Sequence, residues 1–176
     1  LIAFYRDRYL PTKNALKVFS IYRIGDVGLI LAMWMSHHLW HKNITFMQLS
    51  NNELVHIQLN APSWIGLFIS IMFLISAAAK SAQLPFSSWL PRAMEGPTPS
   101  SAIFYGSLSV HLGAFLLIRT FPFWEHQYPV RVIIVLLGLS TSIIATGIAR
   151  VQSSVKSQIA YSSIAQIGLI FVEIAC

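Results

Sequence analysis

Lys80-Ser81-Ala82-Gln83-Leu84-Pro85-Phe86-Ser87-Ser88-Trp89-Leu90-Pro91, running on to Glu95-Gly96-Pro97-Thr98-Pro99, is the stretch whose reading decides the fold. An apolar run from Pro62 ends in its lysine, and another apolar run follows it from Ser100. Proline has no amide hydrogen to give a helix, and it disfavours helix at the residue before it. The backbone is therefore expected to break near Lys80–Pro85, and Pro97 and Pro99 place the restart near Ser100. Between them the residues Leu84–Pro91 are amphipathic. Broken helices at membrane depth are tolerated where they are buried in protein or line a cavity.

The composition around this break is that of a membrane protein. Of 176 residues 55% are hydrophobic and 10% are charged, well to the apolar side of an ordinary soluble domain. A bilayer core of about 30 Å needs roughly 20 mostly apolar residues per helix. Five stretches qualify: Ala15–Met35, Pro62–Gln83, Ser100–Ile118, Val130–Ala149 and Val155–Ala175. A soluble bundle would need polar faces that these segments lack. The fold class is all-α integral membrane, with about five transmembrane helices, one of them broken, in a single transmembrane domain over residues 1–176. Leu1 in place of Met, and a last span that runs to Cys176 without a polar tail, suggest part of a longer polytopic chain.

The net charge of +6 does not indicate nucleic acid, because the basic residues sit in short clusters between apolar runs and cover no single face. They act as topology signals instead. Arg6, Arg8, Lys13, Lys17, Arg92, Arg150 and Lys156 fall on one side, against Lys42, Arg119 and Arg131 on the other. Positive loops stay cytoplasmic, so the N-terminus is placed inside. The lone cysteine, Cys176, excludes an internal disulfide and a cysteine-based metal site. The loop His37–Ala61 is long enough for a short interfacial helix near Thr45–Leu54. His37, His38 and His41 are better explained as solvated loop histidines than as metal ligands, since no carboxylate or cysteine lies at ligand spacing. Nucleotide-binding, dinucleotide-binding and nucleophile-elbow motifs do not occur, and neither a cofactor nor a metal is expected.

Ionisable residues inside the spans carry the functional question, since each costs at least about 2.5–3.5 kcal/mol in hydrocarbon. Arg23 and Asp26 stand at i,i+3 on one face of the first span and are expected to pair, either to fix packing or to tune a proton site. Lys80 ends an apolar helix. Its amine either snorkels to the interface or stays buried, where a nearby carboxylate switches it between charged and neutral. Ser76 and Gln83 flank it on nearly the same face and are suited to holding water. At 3.6 residues per turn Ser101, Tyr105 and Ser109 share one face of the third span, and Ser100, Ser107 and His111 roughly the opposite one. His111 reads either as a proton relay or as a histidine bonded to a backbone carbonyl. The fifth span opens with Lys156 and continues with Gln158, Ser162, Gln166 and Glu173 as one polar stripe, facing other protein or water or serving as glue between helices. On the fourth span Ser140, Thr141, Ser142 and Thr146 with Gly138 and Gly147 read as small-residue packing.

Lys80-Ser81-Ala82-Gln83-Leu84-Pro85, Trp89-Leu90, Ala93-Met94, Gly96-Pro97-Thr98-Pro99 and Ser101-Ala102 closely resemble the core of the antiporter-like proton-translocating membrane subunits. That family is typified by subunit L (chain 5) of NADH-quinone oxidoreductase, the large subunit of Mrp antiporters and related inorganic-carbon uptake subunits. Arg23-Ile24-Gly25-Asp26-Val27 resembles its arginine–aspartate helix, and Lys156 through Ala160-Tyr161-Ser162 and Gln166-Ile167-Gly168 its second lysine-bearing helix. The resemblance implies a fragment from the junction of two inverted five-helix repeats, each holding a half-channel. It makes Lys80 the buried proton-carrying lysine, with Asp26 and Arg23 modulating it. The hydroxyl, imidazole and charged groups of Tyr105, His111, Lys156 and Glu173 are the candidates for the onward proton transfer. It further implies other membrane subunits as partners in the lipid bilayer of a cytoplasmic membrane, protons as the transported ion with sodium as the alternative, and no redox step in this chain; the competing reading is a structural membrane subunit that anchors a soluble partner, its charges serving only helix packing. The chain departs from the pattern at Tyr105, where many relatives carry histidine, and at Arg92, where an acidic residue is common. The family's upstream glutamate and its downstream histidine-rich and terminal lysine helices are not among these 176 residues.

Overall fold

The computed structural model describes residues 2–4, 7–40, 63–125 and 127–176. Among them the chain is all-helical, without strands. A first helix, Tyr9–Trp40, is 32 residues long, about 48 Å at 1.5 Å per residue, so it extends beyond both limits of the expected Ala15–Met35 span. The second helix is Ser63–Lys80. A third begins at Thr98 and ends at Arg119, the fourth is Tyr128–Arg150 and the fifth Val155–Ala175. The first, fourth and fifth are long and apolar enough to cross a membrane, and the second and third are shorter apolar helices. Exposed Val27, Ile30, Leu112, Phe115, Leu136 and Ile143 give the outside an apolar surface, which is what lipid or partner helices require. The expected helix at Thr45–Leu54, Lys42 and His41 lie outside the described residues. His37 and His38 are exposed at the end of the first helix, His38 stacked on Trp34.

The break forms as the prolines dictate. The second helix stops at Lys80, and Ala82 adopts the left-handed conformation at φ 54°. The amide of Gln83 then returns to the carbonyl of Ala78 at 2.9 Å, the closure typical of a helix ending in a left-handed residue. A five-residue helix, Trp89–Ala93, follows, which the amphipathic pattern alone did not distinguish from a loop. Side-chain hydrogen bonds hold the break together and tie it to its neighbours. Trp89 Nε1 donates to Ala79 O at 2.9 Å, Ser81 Oγ donates to Val110 O at 2.9 Å, and the amide of Leu84 donates to Thr141 Oγ1 at 3.2 Å. Unpaired backbone groups buried in this way are costly, so these bonds anchor the break to the third and fourth helices. Thr141 is thus more than a small packing residue.

The third helix departs from the expected uniform α-helix. After one α turn from Thr98, residues Ser101–Leu108 wind as a π-helix and revert to α at Ser109. Hydrogen bonds to i+5 enlarge the turn and shift the register, so the faces drawn at 3.6 residues per turn do not persist along it.

Glycines set the closest approaches. A Cβ at Gly25 would lie 3.0 Å from Ala79 Cβ, and one at Gly28 3.0 Å from Met72 O, so the first helix lies directly on the second. At Gly113 a Cβ would meet Ser81 Oγ at 2.0 Å and Ala77 O at 2.3 Å, and at Gly138 it would meet Gly168 O at 2.5 Å. Gly147, expected to be a packing residue, has no atom within 4 Å of its Cβ position. It lies on the far side of the fourth helix from the Gly138–Gly168 seam.

Candidate functional site

Contact through Gly25 and Gly28 brings one face of the first helix over the end of the second. Asp26, next to Gly25, thereby reaches Lys80: Lys80 Nζ donates to Asp26 Oδ1 at 2.8 Å. The side chains are 20% and 34% exposed, so the pair is mostly withdrawn from solvent. Arg23 is the second cation on the same carboxylate, at 3.5 Å from Asp26 Oδ2 and 63% exposed, with its guanidinium over the Phe19 ring at 4.7 Å. The i,i+3 spacing pointed to Arg23–Asp26 as the pair. Helix packing instead makes Lys80 the nearer partner and gives one carboxylate two cations.

Tyr22 completes this cluster and was not singled out from the sequence. Its ring lies under Lys80 Nζ at 5.5 Å from the centroid, meets the buried Trp89 edge-on at 4.9 Å, and its hydroxyl shares a hydrogen bond with Ser109 Oγ. An aromatic residue on an apolar helix carries no distinguishing signal beyond its i,i+4 relation to Asp26. A cavity of about 540 Å³ opens beside the cluster, lined by Val18, Phe19, Tyr22, Asp26, Leu108 and Ser109.

Several buried polar atoms surround the break. Ser76 Oγ, Gln83 Oε1 and Ser101 Oγ accept and donate no hydrogen bond among the described residues, and all three residues are at most 4% exposed. Ser76 and Gln83 are the two flanking residues expected beside Lys80. The backbone of Tyr105 lies within the π-helical stretch, and its side chain is outside the described residues.

His111 points away from Lys80. It lines a separate cavity of about 230 Å³ with Ser162 and Gln166 of the fifth helix. The expected polar stripe exists in part: Gln158, Ser162, Gln166 and Glu173 are all exposed. They do not glue the fourth and fifth helices, which meet at the Gly138–Gly168 seam. Lys156 is off the stripe, since it lies about 200° around the helix from Gln158 at 100° per residue. Its Nζ donates to Gly96 O at 3.2 Å, and it lines a cleft of about 640 Å³ with Arg8 and Glu95. The helix-breaking prolines take the expected places, with Pro97 capping the third helix and Pro99 in its first turn.

The sequence model described as NADH:quinone oxidoreductase/Mrp antiporter, TM, matches residues 1–176. NADH-ubiquinone oxidoreductase chain 5 of Metridium senile is 37% identical over 176 residues, covering 100% of this chain and 28% of its own length. NADH-quinone oxidoreductase subunit L of Rhodobacter capsulatus is 34% identical over 176 residues, covering 98% of this chain and 25% of its own. A chain in the structure of the Mrp complex from Dietzia sp. DQ12-45-1b superposes with a TM-score of 0.84 at 28% identity, over 96% of this chain and 18% of that one. This chain thus spans about a quarter of the length of the curated relatives it matches.

Proposed function

Because the chain belongs to the NADH:quinone oxidoreductase/Mrp antiporter transmembrane family along its whole length, we propose that it is part of a proton-translocating membrane subunit in which Lys80 carries the proton. The observation that supports this most directly is the 2.8 Å ion pair between Lys80 and Asp26 across two helices, beside a helix break. An ammonium facing a carboxylate holds its proton, and one that loses its counter-charge in a poorly solvated site gives it up. Asp26 also has Arg23 within 3.5 Å. A shift of the carboxylate toward Arg23 therefore discharges Lys80, and its return recharges it.

The route to and from Lys80 follows the buried polar groups. Ser76, Gln83 and Ser101 are sites for ordered water, the usual partner of buried polar atoms that protein leaves unbonded. His111, Ser162 and Gln166 share the next cavity along; Lys156, held on Gly96 O at the separate cleft near Glu95, stands outside this route. The N-terminal side is cytoplasmic in this reading, by the lysine and arginine count. The membrane in this reading is a cell's inner (cytoplasmic) membrane. Other membrane subunits supply the driving reaction and complete the two inverted repeats. A second reading, proton exchange against a cation such as sodium, is favoured by the likeness to the Mrp complex. It differs in requiring flux to depend on that cation.

The test is proton flux into sealed vesicles holding the full-length protein with its partner subunits, wild type against Lys80→Met at matched assembly. The carrier reading expects flux to fall by at least about tenfold, since a positioned acid–base group typically contributes roughly a hundredfold or more. Undiminished flux reduces the pair to a structural salt bridge.

A further inference from the structure

Among the described residues, the side chain of Tyr22 joins the Lys80 cluster to the third helix. Its ring carries the ammonium of Lys80 at 5.5 Å and rests on Trp89 at 4.9 Å. Trp89 is wholly buried and is itself fixed by its bond to Ala79 O, one residue before Lys80. The hydroxyl of Tyr22 bonds to Ser109, the first residue after the π-helical stretch Ser101–Leu108. Tyr22 and Ser109 also line the same cavity as Asp26.

We propose that Tyr22 is the positioning residue of the Lys80 site, its ring seating the ammonium beside Asp26 and its hydroxyl tying that seat to Ser109. The two functions are separable in chemistry. A cation over an aromatic face is held by the ring quadrupole and needs no hydroxyl, whereas the link to Ser109 needs the hydroxyl and not the ring's charge distribution. Among the described residues, the charged and titratable groups facing Lys80 are Asp26 and Tyr22 from the first helix, with Arg23 reaching it through Asp26. Ser109 faces it from the third helix only by way of Tyr22, and His111 lines the other cavity. A π-helical stretch shifts the register of the helix that follows it, and such stretches recur at functional sites. Movement there displaces Ser109, and Tyr22 transmits the displacement to the lysine. The proposal rests on Lys80 as the proton carrier.

The experiment measures proton flux per assembled complex, in vesicles containing the full-length protein with its partners. It uses Tyr22→Phe, Tyr22→Leu, Ser109→Ala, the Tyr22→Phe/Ser109→Ala double variant, and Lys80→Met as control. Tyr22→Leu, which removes ring and hydroxyl, is expected to lower flux about tenfold. Tyr22→Phe and Ser109→Ala are each expected to lower it about threefold, and the double variant no further, since each single change already removes the same bond. Tyr22→Phe flux as low as that of Tyr22→Leu would overturn the seating role. A double variant about tenfold down, the product of its two singles, would overturn the tie to Ser109. Should Tyr22→Leu fail to assemble, the Phe and Ala cycle decides alone. Lys80→Met without loss of flux removes the carrier reading and this proposal together; Lys80→Met inactive with every Tyr22 and Ser109 variant at wild-type flux removes this proposal only.

Discussion

At the end of the second helix Lys80 meets a carboxylate at 2.8 Å, whereas at the start of the fifth helix Lys156 meets a backbone carbonyl at 3.2 Å. The helix dipoles differ in the same sense, favouring a cation at the C-terminal end where Lys80 sits and disfavouring one near the N-terminal end where Lys156 sits. Gly96 O compensates Lys156 with a fixed dipole. Asp26 compensates Lys80 with a full charge, which it shares with Arg23. The two lysines on apolar helices thus differ both in helix position and in partner. In the proposed reading the fixed carbonyl anchors its ammonium, whereas the carboxylate shared with Arg23 lets Lys80 exchange its proton.

This comparison breaks most readily at the glycines that bring each region together. Gly113→Ala puts a methyl 2.0 Å from Ser81 Oγ and 2.3 Å from Ala77 O, and both the helix break and the third helix must move to admit it. We expect the largest effect there, a loss of about 1–3 kcal/mol of stability together with a several-fold fall in proton flux per assembled complex. Gly138→Ala puts a methyl 2.5 Å from Gly168 O and parts the fourth and fifth helices. A similar stability loss is expected from thermal denaturation of the purified complex, with flux per assembled complex retained. Equal loss of flux from the two substitutions would contradict the separation of the regions. Gly147→Ala meets no atom within 4 Å. It should leave flux unchanged and raise stability slightly, by about 1 kcal/mol at most from helix propensity.

The sequence shows the helix break because proline chemistry is local, and Lys80, Pro85, Pro97 and Pro99 occupy the expected places. The partner of Lys80 was less legible. Asp26 is 54 residues away, and only the close approach at Gly25 and Gly28 makes them neighbours. Spacing along one helix made Arg23 the visible partner, although it is the more distant cation and the more exposed. The π-helical stretch could not be anticipated, since a fixed 3.6-residue period assumes that every turn is α. The polar stripe on the fifth helix was legible from its period, but Lys156 was added to it by proximity in sequence, and the helix turns it toward Gly96. Tyr22 remained hidden because its function depends on Trp89, Lys80 and Ser109, which come from three other segments.

The most direct measurement of the central claim is proton flux in vesicles holding the full-length protein and its partners, with Lys80→Arg and Lys156→Arg compared at matched assembly. Arginine keeps the positive charge and the ion pair but does not release a proton. The account predicts that Lys80→Arg assembles normally and loses flux by about tenfold or more, while Lys156→Arg keeps most of it. Wild-type flux through Lys80→Arg would contradict the account and leave Lys80 and Asp26 as a structural salt bridge.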